Sequence, residues 1–163
     1  IGSAPLRHLA TLGGNLGWGS GDLASALLVL VAEVEVELPS GRAMLPVADY
    51  LSGLFEQPAL LVAAEFDLPA LAGRYEKVGN RAAFSVTELA LAVQATDAGW
   101  RVAAHGAGLS ARRLTACETQ LGSGSSSADA LTAAVAADLE DAAQARYALA
   151  ALPRLIAHHT RDG

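Results

Sequence analysis

One stretch near the start of the chain, residues 7–17, groups residue types that often surround a small ligand; it reads RHLATLGGNLG. Two adjacent glycines, Gly13 and Gly14, stand between the hydroxyl of Thr11 and the amide of Asn15. Glycine has no side chain and adopts left-handed or bridge conformations, so a glycine pair opens the backbone to close approach. The stretch therefore suggests that something comes near the main chain. The alternative is a tight turn between two strands, and the stretch taken alone favours the turn.

Histidine and cysteine, the other residues suited to catalysis or metal binding, are few and scattered. His105 lies on a predicted strand, where a histidine is more often a hydrogen-bonded structural residue than a base. His158 and His159 lack the i, i+4 spacing or the carboxylate that metal sites favour. Cys117 lies on the apolar face of a predicted helix, which indicates a buried and inert thiol. We therefore expect no metal ligand and no catalytic residue among them.

Two further arrangements of residues suit a ligand or a reaction, but each has a simpler explanation. Trp18 and Trp100 could stack on a planar ligand, but packing in the core or on the surface is the simpler expectation. A hydrolase would need Ser20 or Ser110 with His105, and the chain has no Gly-x-Ser-x-Gly elbow between a strand and a helix. The sequence does not favour such an enzyme.

Composition limits the class of protein. The chain has 163 residues, 52% of them hydrophobic and 17% charged, enough for one domain or two small ones with a core. A net charge of −6 argues against nucleic acid or an anionic membrane surface as partner. The single cysteine excludes an internal disulfide and a self-contained iron–sulfur cluster, and predicts a reducing, cytoplasmic location.

Two features bear on the extent of the chain. No run of about 18 apolar residues occurs, so we expect no membrane span. The chain opens at Ile1 and has its only methionine at Met44, so we expect it to be the later part of a longer protein, or one whose beginning was removed.

Hydrophobic periodicity and turn signals predict the elements that follow the glycine pair. We predict, in order, a helix from about Leu23 capped by Ser20 or Asp22, strands over 33–38 and 43–47 joined by a turn at 39–42, a short helix over 48–55, and a strand over 59–69 ended by Pro69.

A second set of strands and helices follows. We call the boundary between the two sets, near residues 69–73, the seam. We predict strands around 74–78, over 85–96 and over 101–110, a helix over 111–122, a flexible connector over 122–128, and helices over 128–140 and 142–159, the last bent or interrupted by Pro153. This order indicates an α+β fold in two lobes.

An ordered set of motifs resembles the flavoprotein (medium) subunit of the molybdenum hydroxylases, the group that contains carbon monoxide dehydrogenase and xanthine dehydrogenase. The family's Arg-x-x-Ala-Thr-Ile-Gly-Gly-Asn loop and its Asp-Leu pair are matched in order by Arg7, Ala10, Thr11, Gly13, Gly14, Asn15, Asp22 and Leu23. VAAEFDLP, YEKVGNRAAFSV, GAGLSARRLTACETQLGSG and ARYALAALPRLI resemble later family segments. The resemblance covers nearly the whole chain.

The resemblance implies a particular α+β arrangement. Residues 1–69 would be the second FAD-binding subdomain, with antiparallel strands and helices. Residues 74–163 would be a small C-terminal domain of antiparallel sheet packed with helices. The family's first FAD subdomain, with its own glycine-rich pyrophosphate loop, has no counterpart in these residues, so FAD binding by this chain alone is left open.

The resemblance also implies a role for the opening stretch. Backbone N–H groups of Gly13, Gly14 and Asn15 would point at the FAD pyrophosphate, where close approach requires the absence of side chains. The Thr11 hydroxyl would add a hydrogen bond. Such fixed donors bind an anion without a lysine, which suits an acidic protein.

Four more positions match family residues that contact the cofactor. Asp22 would accept a hydrogen bond from a ribityl or ribose hydroxyl, with helix capping as the alternative or additional role. Lys77 would lie near the isoalloxazine ring, where a cation stabilises anionic reduced flavin, or else is a solvated strand lysine. Val62 and Ala63 would pack against the flavin ring.

The function implied is electron transfer within an FAD-dependent oxidoreductase of the molybdopterin dehydrogenase type. FAD would take electrons from an iron–sulfur partner chain and pass them to an acceptor such as NAD or a quinone. Iron–sulfur clusters and molybdopterin would lie on other subunits, and this chain alone would be inactive. The alternative is a flavin-free degenerate or split module that serves protein interaction through its Ala-rich helices.

Overall fold

The computed structural model of the chain describes residues 3–19, 21–53, 58–68, 70–71, 73–81, 85–106, 108–139 and 145–161. Over these residues, helices combine with two antiparallel sheets, so the predicted α+β fold is confirmed. The predicted cap at Ser20 and the predicted strand end at Pro69 lie outside the described residues.

In its described residues, the first part of the chain contains four helices and the first sheet. Its elements are α1 (Ala4–Leu9), α2 (Leu12–Gly17), α3 (Ala24–Val29), β1 (Glu33–Leu38), β2 (Gly41–Pro46), α4 (Val47–Leu51) and β3 (Leu60–Glu65), and the strands are ordered β2-β1-β3 in the sheet. The alternation EVEVEL forms the strand it predicted, because Val34 and Val36 are fully buried while Glu33 and Glu37 are exposed. The predicted hairpin of β1 with β2 is confirmed.

The second part of the chain, over the ranges described, contains the second sheet and three helices. Its elements are β4 (Gly73–Val78), β5 (Leu89–Thr96), β6 (Gly99–Gly106), β7 (Leu109–Arg113), α5 (Thr115–Gly122), α6 (Ala128–Asp138) and α7 (Arg146–His159), and the strands form a meander in the order β4-β5-β6-β7. Leu89, Leu91 and Val93 share a buried cluster with the three helices. Residues of the opposite face, Ala92 and Ala103, share a second cluster with α3 and β1. The two sheets are therefore joined by a common apolar layer.

The glycine pair does not form the predicted loop. Gly13 and Gly14 lie inside α2, and neither has a positive φ. The reason is local, because Thr11 caps the helix and its Oγ1 accepts a hydrogen bond from the Gly14 N–H at 2.9 Å. The prediction of left-handed or bridge geometry at this pair was wrong.

Two predictions in the second part also need correction. Residues 111–113 extend β7 rather than start a helix, since Arg112 and Arg113 pair with Ala104 and Ala103 of β6. Of the two effects predicted for Pro153, interruption of α7 was wrong, because the helix continues through Pro153, which is buried. Packing of the helix against the second sheet outweighs the loss of one backbone hydrogen bond.

Candidate functional site

A cavity of about 610 Å³ lies between the α1–α2 segment and the second sheet. Its volume is in the range of small-molecule sites. It is lined by Leu6, Leu9, Ala10, Thr11, Gly14, Asn15, Trp18, Gly21, Asp22, Lys77, Ser85, Val86, Thr87, His105 and Gly106. The cavity therefore brings together residues from both parts of the chain.

The α2 segment uses most of its predicted ligand-binding groups internally. The Gly14 N–H donates to Thr11 Oγ1, and the Asn15 N–H donates to the Thr11 carbonyl at 3.0 Å. Asn15 Oδ1 accepts from the Leu23 N–H at 3.0 Å, which ties α2 to the start of α3. Thr11, Gly14 and Asn15 line the cavity, but the amides of Gly14 and Asn15 have partners within the segment.

Gly21 is a site residue that sequence reasoning missed. A Cβ at this position would lie 2.1 Å from the Asn15 carbonyl oxygen and 2.4 Å from Asn15 Oδ1. Only glycine lets these two backbone segments meet. The glycine-rich run around residue 19 was the available signal for it.

Asp22 is the centre of the polar network in the cavity. Its Oδ2 lies 2.9 Å from Lys77 Nζ, and its Oδ1 accepts a hydrogen bond from the Thr87 hydroxyl. The Tyr75 hydroxyl donates to the Asp22 backbone carbonyl at 2.9 Å. The side chain does not cap α3, whose N-cap residue is Leu23 with no side-chain cap bond. The capping alternative for Asp22 was therefore wrong.

The surroundings of Asp22 keep its carboxylate ionised to a lower pH than usual. Burial alone would raise the pKa of Asp22, but the hydrogen bonds from Thr87 and Lys77 and the lysine charge outweigh it and lower that pKa. Burial, with the Asp22 charge, raises the pKa of Tyr75 above its usual range. Among the described lining residues, Asp22 and Lys77 carry the formal charges, and they compensate each other.

His105 was expected to be a hydrogen-bonded structural histidine, and the structure contradicts this. Its side chain is 1% exposed and lines the cavity, yet neither Nδ1 nor Nε2 has a hydrogen-bond partner among the described residues. Burial lowers its pKa, with Lys77 lowering it further and Asp22 opposing, so the imidazole is neutral at pH 7.

The backbone around His105 is irregular. The pairing of β6 with β7 shifts register between Ala104 and Gly106, so β7 has one residue more than β6 at this point. Gly106 has φ +93°, and a Cβ there would lie 2.5 Å from the Glu88 carbonyl oxygen. The bulge and the glycine together fix the strand end that carries His105.

Three of the predicted contact residues do not line the cavity. Gly13 faces β3, where a Cβ would make ordinary contact with Leu61 Cδ2 at 3.4 Å. Val62 lies at a register shift of β3 against β1 and is 42% exposed. Ala63 is half-buried and pairs with Glu35.

The rim of the cavity is apolar. Leu9, Trp18 and Val86 are 82%, 78% and 81% exposed. Trp100, by contrast, packs against the core of the second sheet as expected. Trp18 is therefore the tryptophan placed to contact a bound molecule.

The remaining candidates lie outside the cavity. Cys117 is buried as predicted, and burial raises the pKa of its thiol beyond the usual range. His159 Nε2 lies 3.4 Å from Glu76 Oε2, a carboxylate neighbour that its sequence position did not predict. The described part of the chain holds no cluster of three or more residues suited to a metal. Within the same ranges, each helix is too short or too polar to cross a membrane.

Residues 1–71 match the model of a protein family described as "FAD binding domain in molybdopterin dehydrogenase". This match confirms the resemblance over that part of the chain. No curated protein matches the sequence.

Solved structures extend the likeness in fold to 98% of the chain. Carbon monoxide dehydrogenase from Hydrogenophaga pseudoflava, in a form that lacks the Mo-pyranopterin moiety of its cofactor, is 20% identical with a TM-score of 0.75. Reconstituted CO dehydrogenase from Oligotropha carboxidovorans is 17% identical with a TM-score of 0.77. Quinoline 2-oxidoreductase from Pseudomonas putida 86 is 17% identical with a TM-score of 0.72. The chain spans 62%, 62% and 63% of these three solved chains.

Proposed function

We propose that the cavity binds part of an FAD molecule and that the chain is the FAD-binding, electron-transfer portion of a molybdenum-hydroxylase-type oxidoreductase. The observation that carries this proposal is the junction of Asp22, in the family-matched segment, with Lys77 and Thr87 of the second part, at the edge of one cavity. Bound FAD would supply reversible electron uptake and release.

The chain's own residues hold and orient the cofactor in this proposal. Lys77 keeps a cation at the cavity wall, and its charge is fixed in place by Asp22. Thr11 and Asn15 shape the opposite wall through the cap of α2 and the bond to Leu23. Gly13, Gly14 and Asn15 remain proposed contacts to the pyrophosphate, which would require the Gly14 and Asn15 amides to exchange their present hydrogen bonds to Thr11 for bonds to the ligand. Val62 and Ala63 remain proposed contacts to a part of the flavin ring that extends beyond this cavity.

The role of the chain within a larger enzyme is proposed on two grounds. One is the family resemblance, and the other is that the chain spans only 62–63% of the length of the solved chains it matches. Electrons would enter FAD from an iron–sulfur subunit and leave to an acceptor such as NAD or a quinone, with molybdopterin on a further subunit. Residues 1–69 would be the second FAD subdomain and residues 74–163 the C-terminal domain. A first FAD subdomain would complete the site.

The proposed location is the cytoplasm, and the buried free thiol of Cys117 supports it.

The test is an FAD titration followed by flavin fluorescence, with the chain alone and with a first FAD subdomain supplied as a separate polypeptide. We expect FAD to bind the pair more tightly than either part. Asp22→Asn and Thr87→Val should each weaken binding about tenfold, since the first removes the carboxylate charge that holds Lys77 and the second removes the hydroxyl that holds Asp22. Arg42→Ala is the matched control, because Arg42 pairs with Glu35 and Glu37 on an exposed hairpin. Unchanged binding in both site variants would contradict the proposed location.

The exposed rim favours one other function, a flavin-free module that docks on a protein. Leu9, Trp18 and Val86 form an apolar border of the kind that marks interaction sites. The same titration separates the two functions. If the first FAD subdomain binds the chain but the pair takes up no FAD, the docking function is correct and the flavin proposal is wrong.

A further inference from the structure

His105 is a polar side chain for which the described residues provide no partner. It is 1% exposed, both ring nitrogens lack a hydrogen bond, and it lines the cavity. A buried polar group without a partner destabilises the folded chain, because it gives up water and gains nothing in exchange. Such a group at the wall of a cavity indicates that a bound molecule completes it.

The sheet register places His105 in a row with Lys77. Lys77 pairs with Ala90, and Ala90 pairs with His105, across three adjacent strands. Residues directly opposite in antiparallel strands share a face of the sheet, and strands lie about 4.8 Å apart. The Cα atoms of Lys77 and His105 are therefore about 10 Å apart on one face of the sheet, and Ala90 is the residue between them in this row.

We propose that His105 contacts bound FAD and that its imidazole forms a hydrogen bond with an uncharged polar group of the cofactor. This group of FAD would lie over Ala90, on the face of the sheet that His105 shares with Lys77. This inference rests on the proposed function. Lys77 is already neutralised by Asp22, so this part of the wall has no spare positive charge for a phosphate. A neutral imidazole offers one donor and one acceptor, which suit a hydroxyl, a carbonyl or a ring nitrogen.

The test compares His105→Leu, which removes the polar atoms, with His105→Gln, which keeps an uncharged donor and acceptor. Ser25→Ala is the matched control, since Ser25 Oγ is also buried and has no partner among the described residues, but it lies away from the cavity lining. FAD affinity is measured with the first FAD subdomain present, and stability by urea unfolding of the chain alone.

We expect His105→Leu to bind FAD about tenfold more weakly, which corresponds to about 1.4 kcal/mol. His105→Gln should stay within about threefold of the unchanged chain, and Ser25→Ala should bind normally. Without ligand, His105→Leu and Ser25→Ala should be at least as stable as the unchanged chain. Addition of FAD should also move the imidazole nitrogen resonances of His105, a readout that does not depend on a variant folding well.

Three outcomes would overturn the inference. If the unchanged chain binds FAD and His105→Leu binds it equally well, the contact is absent although the proposed function stands. If His105→Leu loses stability without loss of affinity, His105 is a structural residue. If the unchanged chain binds no FAD even with the first subdomain, the proposed function fails and this inference fails with it.

Discussion

Lys77 Nζ lies 2.9 Å from Asp22 Oδ2, and the two residues are 55 positions apart in the chain. Asp22 belongs to the connection between α2 and α3, whereas Lys77 lies on β4 of the second sheet. The seam predicted near residues 69–73 runs between them in sequence. The candidate site is thus assembled across that seam, and its geometry depends on the docking of α3 against β5 and β6.

The first prediction concerns the contribution of this ion pair to stability. Lys77→Met removes the charge and keeps the apolar stem, leaving Asp22 partly buried with Thr87 as its one remaining side-chain partner within the described part of the chain. We expect a loss of about 2 kcal/mol in the free energy of unfolding, measured by urea denaturation.

Two comparisons make that result interpretable. Arg42→Met breaks the two ion pairs of exposed Arg42 with Glu35 and Glu37 on the β1–β2 hairpin and should change stability little. Asp22→Asn combined with Lys77→Met should cost less than the sum of the two single changes, because they share one interaction. Additive losses would mean that the pair contributes nothing of its own.

The second prediction concerns pH. Because burial lowers the pKa of His105, the unfolded chain binds a proton that the folded chain does not once the pH falls below about 6.5. Titration of His105 therefore leaves the free energy of unfolding unchanged above that pH and lowers it as the pH falls further. Asp22, whose pKa is also lowered, adds its own loss only below about pH 3.9.

Urea unfolding at several pH values from 7.5 to 5.5 checks this. His105→Gln should flatten the dependence by as much as about 1.4 kcal/mol per pH unit, the effect of one proton. Asp22 and Lys77 are the charged groups that act on His105, and the lowered pKa of Asp22 lies below this range. The same slope in both chains would show that His105 does not titrate differently on folding.

A feature of the site could be predicted from the sequence where neighbouring residues determine it. It could not be predicted where residues far apart in the chain determine it. The β1 strand follows from alternation of neighbouring residues, and it formed as predicted. Asp22 and Lys77 were each identified by family resemblance, but their pairing depends on the docking of two sheets and leaves no local signal. Thr87 and His105 were missed as site residues for the same reason. The loop predicted at Gly13 and Gly14 did not form, because Thr11 caps a helix that includes both glycines.

The third prediction separates two glycines of the same segment. In Gly21→Ala, the new methyl group would lie 2.1 Å from the Asn15 carbonyl oxygen, so α2 and the start of α3 must move apart. We expect a loss of about 2–3 kcal/mol and a weaker Asn15–Leu23 hydrogen bond, seen as faster amide exchange at Leu23. Gly17→Ala, where a Cβ meets nothing within 4 Å, should cause no loss. Equal losses in both variants would contradict this packing.

The last prediction concerns the corner that anchors β6, the strand carrying His105. Glu118 Oε1 accepts a hydrogen bond from the Val102 N–H at 2.8 Å, and its Oε2 accepts one from Arg113 Nη2 at 2.7 Å. Glu118→Ala leaves the Val102 amide and the Arg113 guanidinium without these partners, so we expect a loss of about 3 kcal/mol in urea unfolding. Glu118→Gln keeps an acceptor for Val102 and should lose less than half of that. A similar loss in both variants would mean that the charge of Glu118, rather than its hydrogen bond to β6, holds this corner together.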